Sequence, residues 1–172
     1  MKKMLNRPGS LKAYSVLLLT VVAAATALSS ATLAIPAAGE TAPPVKIELW
    51  GEVFRGDEAV RLGDDVRVNP GEEIVWRLRL HNSGQKWVAG VRAVGDIPAG
   101  TRFVEGSAGG EGVTGVEYSI DGGKTFSPRP VVIKDGKPVP APVSSYTTVR
   151  LTFGGRVESG MSKTASYRTL VL

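Results

Sequence analysis

The sequence has no cysteine and a single histidine, His81, in 172 residues. Without thiols there is no disulfide framework, no lipid-modified anchor cysteine, no thiol nucleophile and no cysteine-based zinc site. One imidazole cannot close a transition-metal shell, and it leaves little for base-assisted nucleophilic catalysis. Aromatic residues are scarce, at 6%. No window of a dozen residues repeats apolar side chains at i, i+3 and i+4, so amphipathic helix is nearly absent. Phosphate-cradling loops of the glycine-rich, lysine-containing kind are missing as well. The net charge of +5 is not spread over the chain: Lys2, Lys3, Arg7 and Lys12 lie in the first 38 residues, where there is no acid. The remainder carries 17 of the 21 basic residues against all 16 acids. A body so close to neutral offers no broad attraction for phosphate backbones or anionic lipid, and no nucleic-acid partner is expected.

What the sequence does have begins with its N-terminus. A basic head precedes the apolar run Ser15 to Leu28, and small residues follow in SSATLAIPAAG. That order is the pattern of a secretory signal, with candidate cleavage points after Ala31, Ala34 or Ala38, the last two favoured. The competing reading is a retained anchor, because residues 13–39 carry no charge and a helix of that length spans a bilayer core of ~30 Å. Either way the body is expected outside the cytoplasm: periplasmic, at the cell surface or extracellular. Membrane contact is expected only through residues 1–38, and only if they are retained. Residues 39–44, with Pro43 and Pro44, read as a short extended spacer.

From Val45 onward the pattern has period two. Val45, Ile47 and Leu49 alternate with Lys46 and Glu48, and Ile74, Trp76, Leu78 and Leu80 alternate with Val75, Arg77, Arg79 and His81. Further candidate strands are 87–94, 101–105, 116–120, 131–133, 147–153 and 164–171. Asn69-Pro70-Gly71, Asn82-Ser83-Gly84, Pro98-Ala99-Gly100, Asp121-Gly122-Gly123 and Asp135-Gly136 supply the fixed or positive φ that chain reversals need. Frequent reversals without crossover helices predict an all-β, antiparallel sandwich of about seven to nine strands over residues 45–172. The glycine-rich stretch 107–115 is expected to be a mobile loop.

Three stretches in order, PGEEIVWRLRLHNSG (70–84), VGDIPAGTRFVEGSA (94–108) and VEYSIDGGKTF (116–126), resemble the conserved-repeat bacterial and archaeal surface domain catalogued as domain of unknown function eleven. The resemblance covers nearly all of residues 45–172. It implies an immunoglobulin-like β-sandwich of an exported surface, adhesion or filament-associated protein, with no established catalytic residues. The chain departs from that pattern in having one copy and in carrying GEVFRGDEAVRLGDD (51–65), read as an extra hairpin. Asn82, Gly84, Asp96, Pro98, Gly100, Asp121, Gly122 and Gly123 are then structural turn residues. Gly84 is expected in the left-handed region, and Asn82 is expected to satisfy turn amides.

Residues Ser119 to Phe126 also resemble an Asp-box hairpin of sialidase-like propellers. One copy in about 130 residues cannot build a propeller, so Asp121 reads as the cap of its own turn. His81 falls in phase with Arg77 and Arg79 and is expected to be exposed. Asp57-Glu58, Asp64-Asp65 and Glu72-Glu73 are the only carboxylate pairs that suggest calcium, and they lack EF-hand spacing. A hydrolase would need a carboxylate pair such as Glu105 and Glu117 facing one cleft. The expectation is a non-enzymatic structural or adhesion-type envelope protein, needing no cofactor, whose partners are other surface proteins or further copies of itself. The alternative is a carbohydrate-binding module using Trp50, which is out of phase with Ile47 and Leu49, and Trp87, which follows a polar turn.

Overall fold

A computed structural model describes residues 44–172. The signal or anchor at 1–38, and all of the 39–44 spacer except Pro44, lie outside the described residues. The chain forms β1 (Val45–Arg55), β2 (Glu58–Arg61), β3 (Glu73–Asn82), β4 (Val88–Ala89), β5 (Arg92–Asp96), β6 (Thr101–Phe103) and β7 (Gly109–Gly110). It continues with β8 (Val113–Ser119), β9 (Val131–Lys134), β10 (Lys137–Pro140), β11 (Thr148–Phe153), β12 (Arg156–Val157) and β13 (Ser162–Val171). A single 3₁₀ turn, Val143–Ser145, is the only helical element among the described residues. The protein is all-β, and every strand pair is antiparallel.

Thirteen strands exceed the seven to nine expected. One reason is Gly90, whose φ of 65° breaks the expected 87–94 strand into β4 and β5. Another is the glycine-rich stretch, which is no free loop: Gly109 and Gly110 pair with Ser166 and Ala165 of β13. A Cβ on Gly110 would collide with the Thr164 carbonyl and the Ala165 Cα, so the missing side chain is what lets the backbones meet. The 51–65 insertion forms the β1–β2 hairpin.

The larger sheet runs β2-β1-β3-β13-β6, with β7 also on β13, and the smaller runs β5-β11-β8. Their facing sides form one core: Leu78, Leu80, Ala165, Tyr167 and Phe103 against Ala93, Val149, Leu151 and Phe153. These residues fall at alternate positions because successive strand side chains point to opposite faces. Each fully buried Leu, Val or Phe contributes about 1.5–3 kcal/mol of transfer free energy. Tyr167 spans the interior and donates its hydroxyl to the Asp96 carbonyl at 2.7 Å. Gly95 lies against it; a Cβ there would come within 2.6 Å of the Tyr167 ring. Trp76 is half-buried, stacked on Tyr167 at 6.2 Å and bonded to Thr169 Oγ1. A second cluster, Val53, Ile74 and Val171, is covered by Val60 and Leu62 from the insertion and by Val66 and Val68 directly after it.

The seven strands that line the two layers are β1, β3, β5, β6, β8, β11 and β13. Numbered in chain order, the larger sheet is first-second-seventh-fourth and the smaller third-sixth-fifth. An immunoglobulin constant domain has first-second-fifth-fourth and third-sixth-seventh. The two layers are alike, with the fifth and seventh strands exchanged.

Candidate functional site

The turn residues are fixed by hydrogen bonds within the scaffold. Asn82 is fully buried. Its side-chain NH₂ donates to the Lys86 and Val157 carbonyls, and its oxygen accepts from the Gly84 N–H at 3.0 Å. Gly84 has no positive φ. Its glycine is needed for close approach instead: a Cβ would sit 2.7 Å from the Pro44 Cβ, and the Ser83 and Gly84 amides both donate to the Pro44 carbonyl. Pro98, Ala99 and Gly100, with Gly100 at φ 80°, make the reversal closed by the Thr101 N–H on the Pro98 carbonyl. That turn returns the chain to buried Phe103. Asp96 ends β5 with its side chain in solvent; its backbone carbonyl holds Tyr167.

Asp121 accepts from the Ser119 hydroxyl, the Thr125 hydroxyl and the Lys124 and Thr125 amides, at 2.6–3.0 Å. Those donors, the Ser119 hydroxyl first, hold its carboxyl far below the usual range. Gly122 and Gly123 carry the positive φ of this turn, 71° and 83°. The four bonds that Asp121 accepts all come from its own hairpin.

His81 is half-buried rather than exposed, because Ser162 lies opposite on β13 and meets its Nδ1 at 3.0 Å. Glu117 is bound by Arg150 at 2.8 Å on the outer side of the small sheet. Tyr118, the next residue, faces inward against Phe103 and Tyr146. Burial first, then the Tyr146 and Glu105 charges, raise the Tyr118 hydroxyl. Glu117 thus lies on the opposite side of the strand from Tyr118, and neither Glu105 nor Glu117 lines the depression at Val53, Phe54, Glu72, Glu73, Val75 and Arg168. Glu72 is held by Arg55 and Asn69, and Glu73 by Arg168. Among the described residues no three His, Asp or Glu side chains gather as metal ligands would.

Both indoles carry a guanidinium. Trp50 projects from the outer face of β1, with Arg61 over its ring at 5.0 Å. Its N–H donates to Glu52 at 2.7 Å, and this bond, followed by the one from Arg77, lowers the Glu52 carboxyl. Trp87 is 49% exposed, with Arg156 over its ring at 4.3 Å. They stand apart in the fold: Trp50 lies in β1 of the large sheet, and Trp87 directly precedes β4 of the short β4–β12 pair. A surface depression of about 320 Å³ is lined by Val53, Phe54, Glu72, Glu73, Val75 and Arg168 and by neither indole.

The surface that sequence reasoning missed is the β9–β10 hairpin, which forms a two-stranded sheet of its own. Val131 stands opposite Pro140 and Ile133 opposite Pro138, so all four share one face. All four are exposed, Val131 by 56% and Ile133 by 71%. Asp135 at φ 52° and Gly136 at φ 75° close the tip in the mirror-image turn that suits a two-residue hairpin. The available signal was the alternation of Pro138 and Pro140 against Val131 and Ile133.

Comparison with protein-family models, curated proteins and solved structures finds no match for this chain.

Proposed function

We propose that this chain is an exported, non-enzymatic β-sandwich serving as a structural or adhesion-type component of the cell envelope. The observation that carries the reading is the β9–β10 hairpin. It holds four neighbouring apolar side chains in water, with Ile133 71% exposed, where a self-contained domain would bury them. Clustered apolar surface of this kind marks a contact with another protein. The export pattern at the N-terminus sets where that contact is made. The polar groups a catalyst would use are engaged structurally: Asp121 caps a turn, His81 meets Ser162 and Glu117 pairs with Arg150.

Fractionation of cells making the chain tests the location. Recovery in the envelope or medium is expected, with mass spectrometry showing a new N-terminus near residue 35 or 39. An intact chain in the soluble interior would overturn the reading.

Polysaccharide binding draws less support, since Trp50 and Trp87 each have one ring face under an arginine, and Trp50 lies in the large sheet whereas Trp87 directly precedes β4. Retention on envelope glycan that vanishes in Trp50→Ala and Trp87→Ala would reinstate it.

A further inference from the structure

We infer that copies of this chain join head to tail by pairing β9 of one copy with β2 of the next; this rests on the structural reading above and names the partner as a second copy. The argument starts from which backbone groups point outward. In the β9–β10 pair, the Ala141 amide donates to the Pro130 carbonyl, which fixes the alternation of bonded pairs. Val132 and Lys134 therefore bond inward, and the N–H and C=O of Val131 and Ile133 point away from β10. On β10 the outward positions are Pro138 and Pro140, which have no N–H, so that edge is blocked. The hairpin has one open edge, and it is β9.

The same reasoning applies at the rim of the large sheet. The Leu62 amide donates to the Gly51 carbonyl, so Glu58 and Val60 bond inward to β1. The N–H and C=O of Ala59 and Arg61 point outward. Among the described residues no main-chain partner meets Ala59, Arg61, Val131 or Ile133 on these outer sides. β2 lies at one end of the large sheet. The segment carrying β9 returns through the 3₁₀ turn, which packs on β6 at the other end. A copy thus presents the two edges on opposite flanks, and neither contact blocks the other.

The two edges also fit each other. Antiparallel pairing of four residues with four sets Ile133 opposite Ala59 and Val131 opposite Arg61, as two bonded pairs exchanging four main-chain hydrogen bonds. Val132 then faces Val60, and Lys134 faces Glu58. Residues 124–141 carry four bases (Lys124, Arg129, Lys134, Lys137) against Asp135 alone. Residues 54–73 carry six acids against Arg55, Arg61 and Arg67. The flanks are therefore +3 and −3, which favours β9 on β2 and disfavours β9 on a second β9. The free edge of β5 carries Arg92 and Asp96, charges that discourage pairing there. A contact between two different surfaces adds copies head to tail, as an open filament unless the rotation per copy closes a ring.

Edge-capping variants test this on the full chain recovered from exporting cells, by analytical ultracentrifugation. The wild type is expected to show concentration-dependent multiples of the chain mass. Ile133→Pro removes one of the two outward N–H groups of β9, and Ala59→Pro one of the two of β2, breaking a bonded pair of the four-residue contact; each alone should sediment as a monomer. Mixed in equal amounts they should form one-to-one dimers, since each retains the edge the other lacks. A wild type that stays monomeric at every concentration overturns the inference, as does a mixture that fails to dimerise. Association lost in Ile133→Pro and kept in Ala59→Pro overturns it in favour of β9 pairing with β9. Circular dichroism checks that the proline variants fold. If one does not, Lys134→Glu should weaken association about threefold and Glu58→Lys added to it should restore it; no change in either refutes the register. The envelope location is read separately by fractionation, so a monomer found there defeats this inference alone.

Discussion

Asn82 ends β3 with its side chain fully enclosed, and the Gly84 amide with the Lys86 and Val157 carbonyls depend on it. Asn82→Ala strands these groups and should lower unfolding free energy by about 2–3 kcal/mol, measured by urea denaturation. Asn82→Asp should be no milder, because its carboxylate would face two carbonyl oxygens. At Asp121 the sign follows from linkage. Its folded-state carboxyl is depressed, so it stabilises the fold at all pH values above the ordinary carboxylate range. Below about pH 4 the unfolded chain takes up the proton first, and that contribution fades as pH falls toward the folded-state value. The gap in melting temperature between wild type and Asp121→Asn should therefore be full at pH 6 and shrink steadily below pH 4. A gap that widens on acidification would show that Asp121 is not held as described. Both residues could be named from sequence, since Asn-x-Gly and Asp-Gly-Gly announce turns. Gly84 was harder: the letter signals unusual backbone, and only coordinates distinguish a positive φ from the 2.7 Å approach of Pro44.

Single strands were legible wherever one side is apolar and the other charged. Residues 74–81 are the clearest case, and they fall within β3. β9 was legible as a strand but not as a surface. Val131, Val132 and Ile133 are all apolar, so alternation cannot say which side meets water, and the answer came from the prolines paired across from it. The split of 87–94 was hidden because Gly90 reads equally as a strand glycine or a break. The prolines lead to a prediction for this hairpin. Pro138→Val with Pro140→Val restores two outward N–H groups and should turn β10 into a second sticky edge. Light scattering of the double variant should rise with time at concentrations where the wild type is stable, without loss of strand signal in circular dichroism. If scattering is unchanged, the prolines have no role in guarding that edge.

At the scale of the molecule, sequence gave the class and could not give the order. Period two tells which side chains share a face; it carries no information on which strand lies beside which. The exchange of the fifth and seventh strands is therefore visible only in the pairings, where Ser162 meets His81 and Leu170 meets Glu73. β13 binds β3 on one side and β6 and β7 on the other, and supplies Ala165, Tyr167 and Val171 to the interior. Removing residues 162–172 should accordingly abolish the cooperative thermal transition rather than lower its midpoint, as calorimetry would register. A truncated chain that still melts sharply would mean the remaining strands close without it. The distance along the chain between partners also predicts slow refolding, on the scale of milliseconds to seconds in stopped-flow fluorescence.

The late position of that middle strand has a further effect on how the protein comes into being. A polypeptide emerging N-terminus first, from a ribosome or through a narrow pore, has its sheet split down the centre until residue 171 is out. Residues 162–171 act as a zip fastener, and the two parts of the sheet are joined only once that strand arrives.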